Sequence, residues 1–140
     1  MMCAPSAFVM LKRLDQGADN AFLLDYDTRF GVYGNAFVHY DYRDPLVLSQ
    51  LTPLKGQFKF IVLDPPYLEE KCFTRVAETV QYLAAPDCKV LACTGYMVRG
   101  LVRRLLHSNI TTFEPRHRNG LANQFCTYTN YEDDDLKWAQ

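Results

Sequence analysis

Residues 57–95 change their hydrophobic period twice, and that switch limits the architecture more than any other feature of the chain. "QFKFIVLD" (57–64) is a run of β-branched and aromatic residues of the kind that forms a buried strand. Beyond two prolines, Phe73, Val76, Ala77, Val80, Leu83 and Ala84 recur at three- and four-residue steps. The spacing predicts an amphipathic helix over 68–84. "CKVLACTG" (88–95) then returns to a buried strand. The same alternation runs through the rest of the chain. Ser6 can cap a helix carrying Phe8, Leu11 and Leu14 and stopping near Gly17, and "NAFLLDYD" (20–27) follows as a strand. "NAFVHYDYRDP" (35–45) offers a short strand that Asp44-Pro45 breaks. Met97, Val98, Leu101, Val102, Leu105 and Leu106 mark another helix, with Arg99, Arg103 and Arg104 on its wet side. "ITTFEP" (110–115) and "NQFCTYTNY" (123–131) close the chain as two strands around "RHRNGLA". Strands alternating with helices predict an α/β fold. Its sheet is mostly parallel with one antiparallel edge strand, and helices cover both faces.

Composition bounds the function. A chain of 140 residues fits one domain, and at that size roughly two-thirds of the unfolded surface is buried on folding. Residues 1–132 are expected to form that domain and 133–140 an acidic tail. A formal net charge of −1 provides no overall basic field for holding nucleic-acid phosphates. The cysteines Cys3, Cys72, Cys88, Cys93 and Cys126 lack CxxC spacing, which argues against a disulfide framework and a zinc site. No apolar run approaches the roughly 20 residues that span a bilayer. A cytoplasmic protein with no metal and no membrane attachment is expected, as a monomer.

In sheets of this type ligands sit beyond the carboxyl ends of the strands, where the strand order reverses. That edge gathers residues 3–6, 25–27, 40–42, 64–67 and 94–96. Among them Asp64-Pro65-Pro66-Tyr67 stands out. Two prolines fix φ near −65° and remove two backbone donors, so neighbouring carbonyls point outward. Asp64 adds a carboxylate acceptor and Tyr67 an aromatic face, a set suited to gripping a planar or cationic amine. The competing account makes Asp64 a helix cap, the prolines a helix start and Tyr67 first-turn packing.

The tetrapeptide resembles that of the Asp-Pro-Pro-Tyr methyltransferases, which use S-adenosylmethionine to modify exocyclic or side-chain nitrogens. Residues 23–46, 62–72 ("VLDPPYLEEKC"), 90–97 ("VLACTGYM") and 112–131, including "PRHRNGLANQF" (115–125), are similar to the elongation factor 1A lysine methyltransferase 1 family. That family was formerly labelled N6-adenine-specific DNA methyltransferase 2. The resemblance covers nearly the whole chain from Cys3 and implies a Rossmann-like methyltransferase sheet. Family members carry a helical N-terminal segment and a complete first strand ahead of Ala4-Pro5-Ser6. Here the chain begins at Met1, so a truncated first strand is expected. No glycine-rich loop is present, and the small-residue turn Ala4, Pro5, Ser6 takes its place.

The resemblance implies a role for each matching residue. Asp25, ending the second strand, matches the acid that accepts from the cofactor's ribose hydroxyls, against the alternative of a solvated turn acid. Tyr26 would lie along the adenine, or pack in the core. Asp41 and Tyr42, ending the third strand, match the adenine-contacting position, with an Asx turn before Asp44-Pro45 as the rival. Asp64 and the Pro65 carbonyl would accept from the substrate amine, with Pro66 shaping the ledge and Tyr67 packing on the amine. Arg116, His117, Arg118 and Asn123, in the last loop, would contact substrate. His39 and His107 read as structural, and "YEDDDLKW" (131–138) as a wet tail. The expected activity is S-adenosylmethionine-dependent protein-lysine N-methylation, with elongation factor 1A as substrate. The alternatives are an N6-adenine nucleic-acid methyltransferase and an inactive binding protein of the same fold. Near-neutral charge weighs against the nucleic acid.

Overall fold

The computed structural model describes residues 2–14, 18–65, 69–115 and 124–140. Among them, seven strands form one sheet in the order β3-β2-β1-β4-β5-β7-β6. These are β1 (Met2–Cys3), β2 (Leu23–Asp25), β3 (Phe37–His39), β4 (Phe58–Leu63), β5 (Ala84–Gly95), β6 (Asn109–Ile110) and β7 (Phe125–Thr129). The helices are α1 (Pro5–Leu14), α2 (Glu70–Leu83) and α3 (Arg99–Leu106). Strands β1 to β5 pair in parallel. β1 is two residues long yet pairs on both sides, Met2 with Leu23 and Val62, Cys3 with Leu63. The chain runs outward from β1 to β2 through α1, and in the opposite direction from β4 to β5 through α2. Right-handed crossovers therefore place α1 and α2 on opposite faces, as expected.

The expected antiparallel edge is displaced by one strand. β7 is the antiparallel strand, and it lies between β5 and β6. Its run Cys126, Thr127, Tyr128, Thr129 is buried on both faces, as an interior strand requires. The outermost position is held by β6 (Asn109–Ile110), so of the expected 110–115 strand only Ile110 lies in a strand, with an isolated bridge at Thr111.

The main core lies on the α2 and α3 face. α2 buries Cys72, Phe73, Val76, Ala77, Thr79, Val80 and Leu83, the stripe its 3.6-residue period predicts. Phe73, Val76, Ala77, Val80 and Leu83 pack with Leu24, Val38, Ile61, Leu63, Val90, Ala92, Leu101, Val102 and Tyr128. β5 is longer than the sequence suggests, because its pairing with β4 is irregular between Phe58 and Phe60 and only resumes steadily at Lys89. Tyr96–Val98 is a 3₁₀ turn ahead of α3, so Met97 is 77% exposed rather than part of the helix's buried face. α3 ends at His107, whose φ of 52° supplies the left-handed residue that closes a helix.

α1 departs from expectation in two ways. The Ala4 carbonyl already accepts from Phe8 N–H at 3.0 Å, so the helix starts at Pro5 and Ser6 lies inside it rather than capping it. Pro5 suits a first helical position, where the missing N–H has no intrahelical partner. Of the predicted apolar face, Phe8 is buried and Leu14 is 79% exposed. The physical cause is the shortness of β1 and β2, which gives α1 little sheet to cover. Phe8 meets Tyr33 edge-on, with centroids 5.1 Å apart.

The carboxyl-terminal segment docks along the outer edge rather than remaining a wholly wet tail. Thr111 bridges Trp138, Thr112 N–H donates to the Lys137 carbonyl at 2.8 Å, and Ala139 N–H donates to Ile110 at 2.8 Å. Trp138 Nε1–H donates to the Thr129 carbonyl at 3.1 Å. This covers an edge that would otherwise offer unpaired backbone groups. Trp138→Ala is expected to cost about 1–2 kcal/mol. A melting temperature lower by about 3–6 °C in a thermal scan would register it. Among the described residues no helix is long and apolar enough to cross a membrane.

Candidate functional site

Because β1 to β5 are parallel, their carboxyl ends share one edge, and the strand order reverses between β1 and β4. There the Asp64 N–H donates to the Cys3 carbonyl at 3.1 Å, which seats the start of the Asp-Pro-Pro-Tyr stretch against the end of β1. Asp64 is exposed at this edge and Pro65 is buried. Pro66 and Tyr67 lie outside the described residues, as do Arg116, His117, Arg118 and Asn123.

On the β1 side, Ala4 is buried and turns directly into α1, with Pro5 and Ser6 as its first residues. Asp25 ends β2, and its Oδ1 accepts from Asp27 N–H at 2.8 Å. That bond fixes the carboxylate plane while using one of its roughly four lone-pair positions, so capacity remains for two hydroxyl donors. Cys3 lies close by: burial pushes its thiol up to about 12, and the Asp25 charge adds to the rise. A neutral thiol therefore sits beside the acid.

Tyr26 is not core. It is 62% exposed and tilts against His39, with ring centroids 5.3 Å apart, joining the ends of β2 and β3. Asp41 and Tyr42 lie just past β3, which stops at His39. Asp41 makes the Asx turn that competed with a binding role: Oδ1 accepts from Arg43 N–H at 2.9 Å, and the Arg43 guanidinium grips the same carboxylate. That hydrogen-bonded pairing holds the Asp41 carboxyl below the usual range. Tyr42 is half-buried against the core.

Tyr40 supports this end of the sheet and carried no sequence signal beyond its position. Its N–H donates to the Asp25 carbonyl at 2.9 Å, and its hydroxyl meets Thr79 Oγ1 at 2.8 Å. Thr79 Oγ1 in turn donates to the Pro45 carbonyl at 2.7 Å. This chain ties β3 to α2 and to the turn at Asp44-Pro45. Burial raises the Tyr40 phenol well above its ordinary value, so it stays protonated.

On the other side of Asp64, β5 ends at Gly95 and pairs with the start of β7, Gly95 opposite Phe125 and Thr94 opposite Cys126. Tyr96 N–H donates to the Gln124 carbonyl at 2.9 Å. A cavity of about 670 Å³ opens beyond this corner, lined by Tyr96, Phe113, Glu114 and Phe125 among others. Its volume is in the range of ligand-sized clefts. Thr94 is fully buried, and among the described residues it has the one buried side-chain oxygen without a hydrogen-bond partner. Sequence reasoning placed Thr94 at the right edge but could not show the orphaned hydroxyl.

A family model described as "Probable N6-adenine methyltransferase" matches residues 1–133. EEF1A lysine methyltransferase 1 of Danio rerio is 40% identical over 134 residues, covering 94% of this chain and 79% of that protein. The Homo sapiens protein of the same name is 39% identical over 129 residues, covering 92% of this chain and 59% of its own length. Protein-lysine N-methyltransferase EFM5 of Saccharomyces cerevisiae is 30% identical over 156 residues, covering 99% of this chain and 62% of that protein. The chain thus spans about three-fifths of the human and yeast relatives. With a mostly parallel sheet that brings Asp25 and Asp64 to one edge, and a family match over nearly its whole length, the chain belongs to the probable N6-adenine methyltransferase family.

Proposed function

We propose that this chain is an S-adenosylmethionine-dependent protein-lysine N-methyltransferase acting on elongation factor 1A in the cytoplasm, as a monomer. The observation that carries the reading is the convergence of Asp25 and Asp64 on either side of β1, at the point where strand order reverses. The donor set there fits the cofactor. Asp25 presents an oriented carboxylate for a ribose diol, and Tyr26 an exposed ring for the adenine. The Ala4, Pro5, Ser6 turn presents little side-chain bulk at the α1 start, and Asp41 and Tyr42 border the same edge. Bound there, S-adenosylmethionine supplies an electrophilic sulfonium methyl.

The chain's own contribution is to hold the amine. Asp64 and the Pro65 carbonyl accept its N–H groups, which turns the nitrogen lone pair away from them. Pro66 stiffens the ledge and the Tyr67 ring packs on the amine. Arg116, His117, Arg118 and Asn123 contact the protein around the target. Positioning of reacting atoms near 3–3.5 Å is worth several kcal/mol. A lysine of ordinary pKa near 10.4 must lose its proton first, and a partly apolar pocket favours the neutral amine. Asp64 serves as an acceptor and need not take that proton.

Relatives of this chain are named for lysine methylation, and several of them for EEF1A. A formal net charge of −1 also offers no overall basic field for a nucleic-acid track, and some of the basic side chains are neutralised locally. Arg29, Arg43, Lys59 and Arg75 are each paired with a carboxylate, at Asp27, Asp41, Asp87 and Glu78. Labelled methyl donor, offered with purified elongation factor 1A and separately with an adenine-containing duplex oligonucleotide, tests the choice. Label on a lysine of the factor is expected. Label on the oligonucleotide alone would overturn the protein substrate.

A further inference from the structure

The Leu63–Ala92 pairing of β4 with β5 is the last regular step of a parallel register. Continued by one and two residues, it sets Asp64 beside Cys93 and Pro65 beside Thr94. The Cys93 thiol is raised mainly by burial and, to a lesser degree, by the Asp64 charge, in keeping with that adjacency. Adjacent strands lie about 4.8 Å apart, a gap that a threonine hydroxyl can bridge to a neighbouring carbonyl. On its other side Thr94 faces Cys126, and the next carbonyl, that of Gly95, already accepts from the Tyr128 hydroxyl at 3.2 Å. Thr94 Oγ1 is thus a buried donor with no partner among the described residues, one strand away from the Pro65 end of the amine ledge. Buried polar groups are almost always satisfied, and an orphan in a native fold calls for a specific reason.

We propose that Thr94 is a positioning residue for methyl transfer, its hydroxyl donating to the Pro65 carbonyl when an amine is seated against Asp64. This rests on the lysine-methylation reading and deepens it. A carbonyl oxygen has two acceptor positions. With Thr94 holding one, the other is aimed at the amine, and the ledge is fixed in direction rather than only in place. The hydroxyl's cost is carried by the unliganded fold and is relieved in the complex, so removing it should impair transfer without destabilising the protein.

The test compares Thr94→Val, which keeps the shape and removes the hydroxyl, with Thr94→Ser, which keeps the hydroxyl, in the full chain. Expected for Thr94→Val are a melting temperature equal to or above wild type and S-adenosylhomocysteine affinity within about twofold by calorimetry. The kcat for transfer to the protein substrate should fall about tenfold with little change in KM, and Thr94→Ser should restore it. An unchanged kcat would overturn the proposal. So would a loss of melting temperature that parallels the loss of activity, the mark of a purely structural role. A second readout does not depend on the natural substrate. n-Butylamine, a lysine side-chain mimic, is titrated into the S-adenosylhomocysteine-saturated protein and followed by NMR. Stronger perturbation at Asp64 in wild type than in Thr94→Val supports the proposal, and equal perturbation overturns it. Failure of transfer to elongation factor 1A with that amine response intact counts against the protein substrate alone. No amine response in wild type removes both.

Discussion

Asp64→Ala should lower kcat for methyl transfer by about 10²–10³, the range seen when one preorganised polar group is removed from an active site. The fold should be untouched. The bond that seats this residue is its main-chain N–H to the Cys3 carbonyl, which alanine retains, and the side chain projects from an exposed position at the strand end. Cofactor affinity should also hold, because the acid assigned to the ribose is Asp25 on the far side of β1. Asp64→Asn keeps an acceptor oxygen but loses the charge, and should fall between wild type and alanine. Initial-rate measurements with labelled donor, with circular dichroism to check folding, separate these effects. An alanine variant of wild-type rate would remove Asp64 from the mechanism.

The largest expected stability effect lies at Phe73. Its ring is fully buried in the core between α2 and the sheet. Truncation to alanine there removes transfer energy and leaves a cavity, at about 3–5 kcal/mol. Against a total of about 5–15 kcal/mol for a typical domain, that is a large fraction. A fall in melting temperature of about 10–15 °C is expected. Phe113→Ala is the control, since Phe113 is 54% exposed and is not among the buried core residues. It should stay within about 1 kcal/mol of wild type. If both substitutions cost the same, the core is misplaced.

The contrast between these two phenylalanines shows what a sequence makes legible. The β4–α2–β5 unit could be read directly, because the period of its apolar residues changes from strand to helix and back, and burial follows period. α1 could not be read as well. The same rule flagged Leu14, but whether a helical face is buried depends on the length of the sheet beneath it, and β1 and β2 are two and three residues long. The tail shows a related limit. Its acidic run is solvated in character, yet Lys137 and Ala139 pair through main-chain groups that composition does not register. At the candidate site, position was legible and partnership was not. Asp25 ends, and Asp41 and Asp64 follow, strands that the pattern located. That Tyr40 is anchored through Thr79 and that Thr94 lacks a partner are consequences of packing between distant segments, whereas the grip of Arg43 on Asp41 is the local turn that the sequence had offered as a rival to binding.

Calorimetric titration of the chain with S-adenosylmethionine, beside an Asp25→Ala control, most directly tests the claim that this sheet edge is a methyl-donor site. Losing hydrogen bonds to a charged acceptor is worth about 1.5–3 kcal/mol. One-site binding is therefore predicted, weakened about 10- to 100-fold in the control while its circular dichroism stays unchanged. A folded chain that takes up no S-adenosylmethionine, or one whose affinity is indifferent to Asp25, would contradict the account.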